Sequence, residues 1–178
     1  MFVADAGNRI VLRFDRAGNL VKRIGQKDPS KGVPGFIVPS PYFDLAVGPD
    51  GLLWVANTGR HHLEAYTFEG DYETGWGEAA VGLRGFCGCC NPAHFALLPD
   101  GRFITSEKGL ARVKIHSAKG EFEGVVAGPE AFPKHLDNPT GAQAGIDVAV
   151  DSQGRVILAD SLSNEVRIFR RLQKLSVS

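Results

Sequence analysis

The chain has 178 residues, with 20 Lys and Arg balanced by 20 Asp and Glu, and 43% of its residues are apolar. A formal net charge of zero excludes a protein built mainly to grip nucleic acid or an anionic membrane. The apolar share is enough for a buried core, and no eighteen-residue apolar run is present to form a membrane-spanning helix.

In chain order, Met1 to Asp5 lacks the basic region of a signal peptide, so the chain reads as cytoplasmic as it stands and exported if its parent gene carried a leader. The segment "FVADAGNRIVLRFDRAGNL" then opens a repeat that recurs as "GLLWVANTGRHHLEAYTFEG" from Gly51, "GRFITSEKGLARVKIHSAKG" from Gly101 and "GRVILADSLSNEVRIFRRLQ" from Gly154. Asp5, Asn57, Glu107 and Asp160 share one position in that frame, about 50 residues apart. Each unit reads as short strands. Leu45 to Val47 and Leu52 to Ala56 are short apolar strands, His62 to Phe68 alternates well enough for a third, and a fourth strand follows Glu69-Gly70-Asp71. The next unit repeats this with Phe95 to Leu98, Phe103 to Thr105, Arg112 to His116 and Phe122 to Ala127. Asp50-Gly51 and Asp100-Gly101 between apolar strands are hairpin signals. No stretch carries a 3.6-residue period, so helix content is expected to be low.

Four-stranded antiparallel units of about 50 residues fit an all-β propeller of stacked blades. The expected blades are 1–25, 42–77, 93–128 and 145–178, within one domain spanning 1–178. The first unit enters at its second strand, and the last ends after its third unless Leu172 to Ser178 adds a fourth. That makes 3.5 to 4 blades, near the lower end of the four-to-eight range of closed propellers. Three arrangements compete: part of a larger propeller, a ring completed by self-association with a second copy, and a small ring closed alone. The first two place the basic N-terminal and C-terminal strands at an open or intermolecular edge.

"VADAGNRIVLRFDRAGNL" and "GLLWVANTGRHHLEAYTFEG" resemble NHL repeats, with the signature intact at Asp5 to Ile10. In the later repeats Asn8-Arg9 gives way to Arg60-His61, Leu110-Ala111 and Ser163-Asn164. The segment "FCGCCNPAHFALLPDGRFITSEKG" is similar to one found in bacterial NHL-repeat proteins of unassigned activity. The resemblance implies a propeller. It also implies either a scaffold that binds protein or RNA, or an enzyme such as a lyase.

The first strand of a propeller blade lines the central channel. Asp44, His94 and Asp147 stand seven residues before each Gly51-equivalent and are expected to converge near the axis. One histidine and two carboxylates can bind a cation, transfer protons, or simply cap strand ends. Cys87, Cys89 and Cys90 lie within four residues, just ahead of His94. They are too few and too close for a disulfide framework. With His94 they form a candidate zinc or copper site, while Cys89–Cys90 could form a strained adjacent disulfide and buried thiols could simply pack a turn. Calcium is the candidate for the carboxylate set. His61, His62 and His135 are weaker ligand candidates, the first two at a turn into a strand and the third in a loop long enough to cover a channel mouth. Trp54 and Phe103 are expected to pack between blades, and Trp76 to pack or to border a pocket. Glu107-Lys108 reads as an ion pair.

No phosphate loop, dinucleotide fingerprint, HExxH or GxSxG is present. Glu64 to Glu78 carries five acids and no Lys or Arg, which argues against nucleic acid as a partner. The leading expectation is a noncatalytic propeller module that binds a protein or small-molecule ligand. The alternatives are a metal-dependent lyase or hydrolase with a channel-mouth site, and a soft-metal or redox thiol site.

Overall fold

The computed structural model describes residues 1–33, 35–137 and 144–171. Strands β1 (Phe2–Asp5), β2 (Ile10–Phe14) and β3 (Leu20–Ile24) form a first antiparallel sheet. The second comprises β4 (Leu45–Val47), β5 (Leu53–Asn57), β6 (His62–Tyr66) and β7 (Tyr72–Trp76), and the third β8 (His94–Leu97), β9 (Phe103–Glu107), β10 (Arg112–His116) and β11 (Phe122–Ala127). Strands β12 (Asp147–Val150), β13 (Val156–Asp160) and β14 (Glu165–Phe169) form the fourth. The architecture is all-β: four antiparallel sheets of three or four strands, as in part of a multi-bladed propeller. Among the described residues, three short 3₁₀ turns (Pro29–Lys31, Thr58–Arg60 and Pro129–Ala131) and one turn of α-helix, α1 (Pro133–Leu136), interrupt the strands.

Local chemistry sets the hairpins. Gly51 and Gly101 adopt φ of +78° and +85°, which a side chain would strain. The preceding Asp50 and Asp100 carboxylates accept the backbone N–H of Leu52 and Arg102, closing the turn. At the next turn, between the second and third strands, Arg9, His61 and Asn164 of three repeats take left-handed φ of 57°, 59° and 54°, and the remaining repeat uses Gly109 at 83°. The register inferred from sequence thus reappears as a shared backbone conformation.

Each sheet buries its faces against its neighbours through alternation. Val11 and Ile24 of the first sheet pack with Leu53, Val55 and Tyr66 of the second. On the second sheet's other face, Trp54, Ala56 and Ala65 meet Phe95 and Phe103 of the third. The Trp54 and Phe103 rings pack edge to face at 4.7 Å, and the indole N–H donates to Asp50 at 2.9 Å. Ile104 and Val113 then pack against Val148, Val156 and Leu158 of the fourth sheet. Burying each of these large side chains stabilises the stack by about 1.5–3 kcal/mol.

Asp5, Asn57, Glu107 and Asp160 end the equivalent strands β1, β5, β9 and β13. The first sheet therefore holds the second, third and fourth strands of a unit, and the fourth sheet holds the first, second and third. The expected strand at Leu172 to Ser178, and part of the expected linker (138–143), lie outside the described residues. Among the described residues, the first sheet packs on the second and the fourth on the third.

Candidate functional site

Three of the four repeat-equivalent polar residues do the same work: each takes hold of the loop that enters its blade. Asn57 accepts the N–H of Ile37 and donates to the carbonyl of Gly35. Glu107 accepts the N–H of Cys87 at 2.8 Å, and Asp160 accepts from His135 at 2.9 Å. These loops lead into the innermost strands β4, β8 and β12, so the docking fixes where each innermost strand begins.

That placement brings Asp44, His94 and Asp147 together. His94 Nδ1 lies 3.6 Å from Asp44 Oδ2 and 3.7 Å from Asp147 Oδ1. Both separations are ion-pair distances, too long for direct hydrogen bonds. Asp44 is held by the N–H groups of Leu45 and Phe95, at 2.9 and 3.1 Å, and so ties two adjacent blades together. Asp147 accepts from Val148 N–H at 2.8 Å, and its side chain is 69% exposed.

Two further residues shape the site and were not singled out from the sequence. The Tyr42 ring meets the His94 ring edge to face at 5.3 Å, and its hydroxyl accepts the N–H of Gly145 at 2.9 Å. A Cβ at Gly145 would lie 2.9 Å from the Tyr42 ring and 3.1 Å from His94 Nε2. The glycine thus leaves room on the Nε2 side of the imidazole. Both residues stand two positions before a channel aspartate, a repeat offset that was legible in the sequence but mute about chemistry.

The cysteine loop is clamped from beneath. Glu107 is fully buried and pairs with Arg112 at 2.6 Å and Lys114 at 2.8 Å. The expected Glu107–Lys108 ion pair is therefore replaced by pairs to the next strand, because strand neighbours point to opposite faces whereas β9 and β10 share a face. Arg112 donates onward to the carbonyl of Gly82, and Lys114 to those of Leu83 and Gly85. Burial holds the Lys114 ammonium below its usual pKa, against the opposing pull of Glu107. Asn91 closes the loop through the carbonyls of Cys87 and Lys108.

Cys87, Cys89 and Cys90 are free thiols, half-buried, exposed and buried in turn, so no Cys89–Cys90 bond is formed. Among the described residues no group of three or more His, Cys, Asp and Glu side chains is arranged to hold a metal ion. Neither the channel set nor the cysteine loop therefore supplies a formed site for zinc, calcium or copper. His61 sits at its left-handed turn and bonds through Nε2 to the Gly88 carbonyl at 2.5 Å, while His62 begins β6 beside it. His135 does not reach a channel mouth; it is buried against Asp160 as part of the loop-docking device. Trp76 borders a cleft of about 500 Å³ with Glu78, Arg84, Glu121 and Phe122. No helix among the described residues is long and apolar enough to cross a membrane.

Comparison with family models and with curated proteins finds no match. Solved structures do match. Virginiamycin B lyase from Staphylococcus aureus aligns at 12% identity with a TM-score of 0.56, covering 97% of this chain and 52% of that one. A streptogramin B lyase aligns at 12% identity with a TM-score of 0.54, covering 94% and 50%. A protein of unknown function from Bacteroides thetaiotaomicron aligns at 17% identity with a TM-score of 0.62, covering 94% and 43%. The likeness is one of fold. The chain spans about half the length of the structures it matches. The NHL resemblance in the sequence is thus matched at the coarser level of a β-propeller shared with lyases.

Proposed function

We propose that the chain carries a channel-mouth site of lyase or hydrolase type, acting on a small ligand with His94 as the proton-transferring group. The observation that carries this reading is the position of His94 Nδ1, 3.6 Å from Asp44 and 3.7 Å from Asp147, where three neighbouring innermost strands begin. The fold likeness to lyases that act on streptogramins supports the same direction.

In this reading Nε2, on the side left open by Gly145, takes a proton from the ligand. Positive charge then develops on the imidazole beside Asp44 and Asp147. At about 4 Å each carboxylate stabilises it by about 1 kcal/mol in water and about 4 kcal/mol near a protein surface, with exposed Asp147 at the lower end. Tyr42 keeps the ring orientation through its edge contact.

The test is incubation of the protein with quinupristin, the compound held by a catalytically inactive virginiamycin B lyase of similar fold, and with a panel of small esters, with products followed by mass spectrometry. Loss of a positioned acid–base group lowers rate by about 10²–10⁴-fold. A His94→Ala variant is therefore expected to fall by that factor while remaining folded. Wild-type turnover in the variant, or no cleavage of any ligand by the wild-type chain, would refute the reading.

A further inference from the structure

Three thiols stand within four residues, and the fold gives each a different setting. Cys87 is half-buried, Cys89 exposed and Cys90 buried. The loop is fixed up to Gly88 and untethered at Cys89. The Phe86 N–H donates to the Glu78 carbonyl at 2.8 Å, and the Phe86 carbonyl accepts from Ala80 N–H at 3.1 Å. The Cys87 N–H donates to buried Glu107 at 2.8 Å, and the Cys87 carbonyl accepts from Asn91 Nδ2 at 2.5 Å. Asn91 is itself locked to the backbone N–H and carbonyl of Lys108. His61 Nε2 meets the Gly88 carbonyl. Among the described residues no hydrogen bond holds Cys89. Gly88 has φ of +72° with nothing within 4 Å of the place a Cβ would take, so the tip turns there into open space. A fixed, half-buried thiol thus stands two residues from an exposed one.

Charge beneath the loop suits thiolate chemistry. Arg112 and Lys114 set two cations against the single carboxylate of Glu107. They reach the loop through the carbonyls of Gly82, Leu83 and Gly85, and the Lys114 ammonium lies within electrostatic range of Cys87. A cation beside a thiol stabilises its thiolate, the form that attacks. Spacing selects the pair. Adjacent residues have Cα atoms about 3.8 Å apart, short of the roughly 4.4–6.8 Å of a relaxed disulfide, so Cys89 and Cys90 are poorly matched. Cys87 and Cys89, two residues apart, meet no such limit.

We infer that Cys87 and Cys89 form a redox-active pair whose oxidant is a hydroperoxide, with exposed Cys89 meeting the oxidant and anchored Cys87 closing the disulfide. The Cys89 thiolate attacks the outer peroxide oxygen. An S–O bond forms, the O–O bond breaks, and the departing alkoxide or hydroxide takes up a proton. Cys89 is oxidised to the sulfenic acid, and the peroxide is reduced to an alcohol or to water. The Cys87 thiolate then attacks the Cys89 sulfur. An S–S bond forms, the S–O bond breaks, and the departing hydroxide takes the proton given up by Cys87 and leaves as water. Two thiols and one hydroperoxide thus become one disulfide, one alcohol and one water. Cys90 stays reduced because burial keeps the oxidant from it. His94 takes no part in this chemistry.

The test is treatment of the native, reduced protein with stoichiometric hydrogen peroxide, followed by quenching, a thiol count in denaturant and peptide mapping by mass spectrometry. The three free thiols are expected to fall to one, with Cys87 linked to Cys89, Cys90 alkylated, and all three restored by dithiothreitol. Cys89→Ser is expected to abolish the loss of thiols at the same dose. Cys87→Ser is expected to leave a sulfenic acid at Cys89 that dimedone captures, and Cys90→Ser to form the disulfide as the wild type does. The wild-type map stands alone if a variant fails to fold. A native chain that keeps all three thiols overturns the inference. So does a link that includes Cys90, and so does a folded Cys89→Ser variant that forms a disulfide as fast as the wild type.

Discussion

His116 offers a stability switch that can be worked out in numbers. It is fully buried in β10, with the rings of Trp76, Phe86 and Phe122 within 4.8 to 6.1 Å. Among the described residues neither ring nitrogen has a partner of full hydrogen-bond geometry, the backbone of Gly120 being its polar neighbour. Burial, and then the neighbouring Lys114 charge, lower its pKa from 6.5 to about 4. The folded protein thus holds this imidazole neutral, while the unfolded chain takes up a proton near 6.5. Unfolding therefore gains a proton between those two values, and stability must fall as pH falls through that window. The contribution is complete above about 6.5 and is lost by about 4, for a total of about 3 kcal/mol. With a urea slope of about 2 kcal/mol per molar, the midpoint should drop by about 1.5 M between pH 7 and pH 4. Urea titrations followed by tryptophan fluorescence at several pH values measure this directly. His116→Phe keeps a ring in the aromatic cage and removes the titration, so its midpoint should fall by about 1.5 M less over the same window. An identical acid-induced loss in the variant and the wild type would refute the assignment.

Glu107→Gln strands two buried cations and should cost about 3–5 kcal/mol, read as a lower denaturant midpoint. Because Glu107 also holds Cys87 N–H, the same variant should speed the reaction of Cys87 with a thiol reagent. In the native wild type Cys89 should react first and Cys90 last, and all three thiols should titrate in denaturant. A reagent count of one in denaturant would mean that a disulfide exists after all.

The strands were legible in the sequence because their causes are local. Alternation in "EVRIF" and "RVKIH", and Asp-Gly at Asp50 and Asp100, act over a few residues and need no partner. The repeat frame carried further. It placed Asp44, His94 and Asp147 at one offset, and the innermost strands then brought them within 4 Å. The same frame flagged Asp5, Asn57, Glu107 and Asp160 without revealing that three of them dock the incoming loops. Their partners lie in loops of differing length and composition, which the repeat does not describe.

By itself, then, the sequence determined the sheet order, the turns and the equivalence of positions, since these follow from period-2 burial and backbone conformation. Only the tertiary structure decided which polar residues pair. Glu107 chose Arg112 and Lys114 over adjacent Lys108 because they share its face of the sheet. His135 chose Asp160 over the channel because its loop folds back onto β13. Buried charge has to find a partner wherever packing leaves one, and that choice is made across blades rather than along the chain.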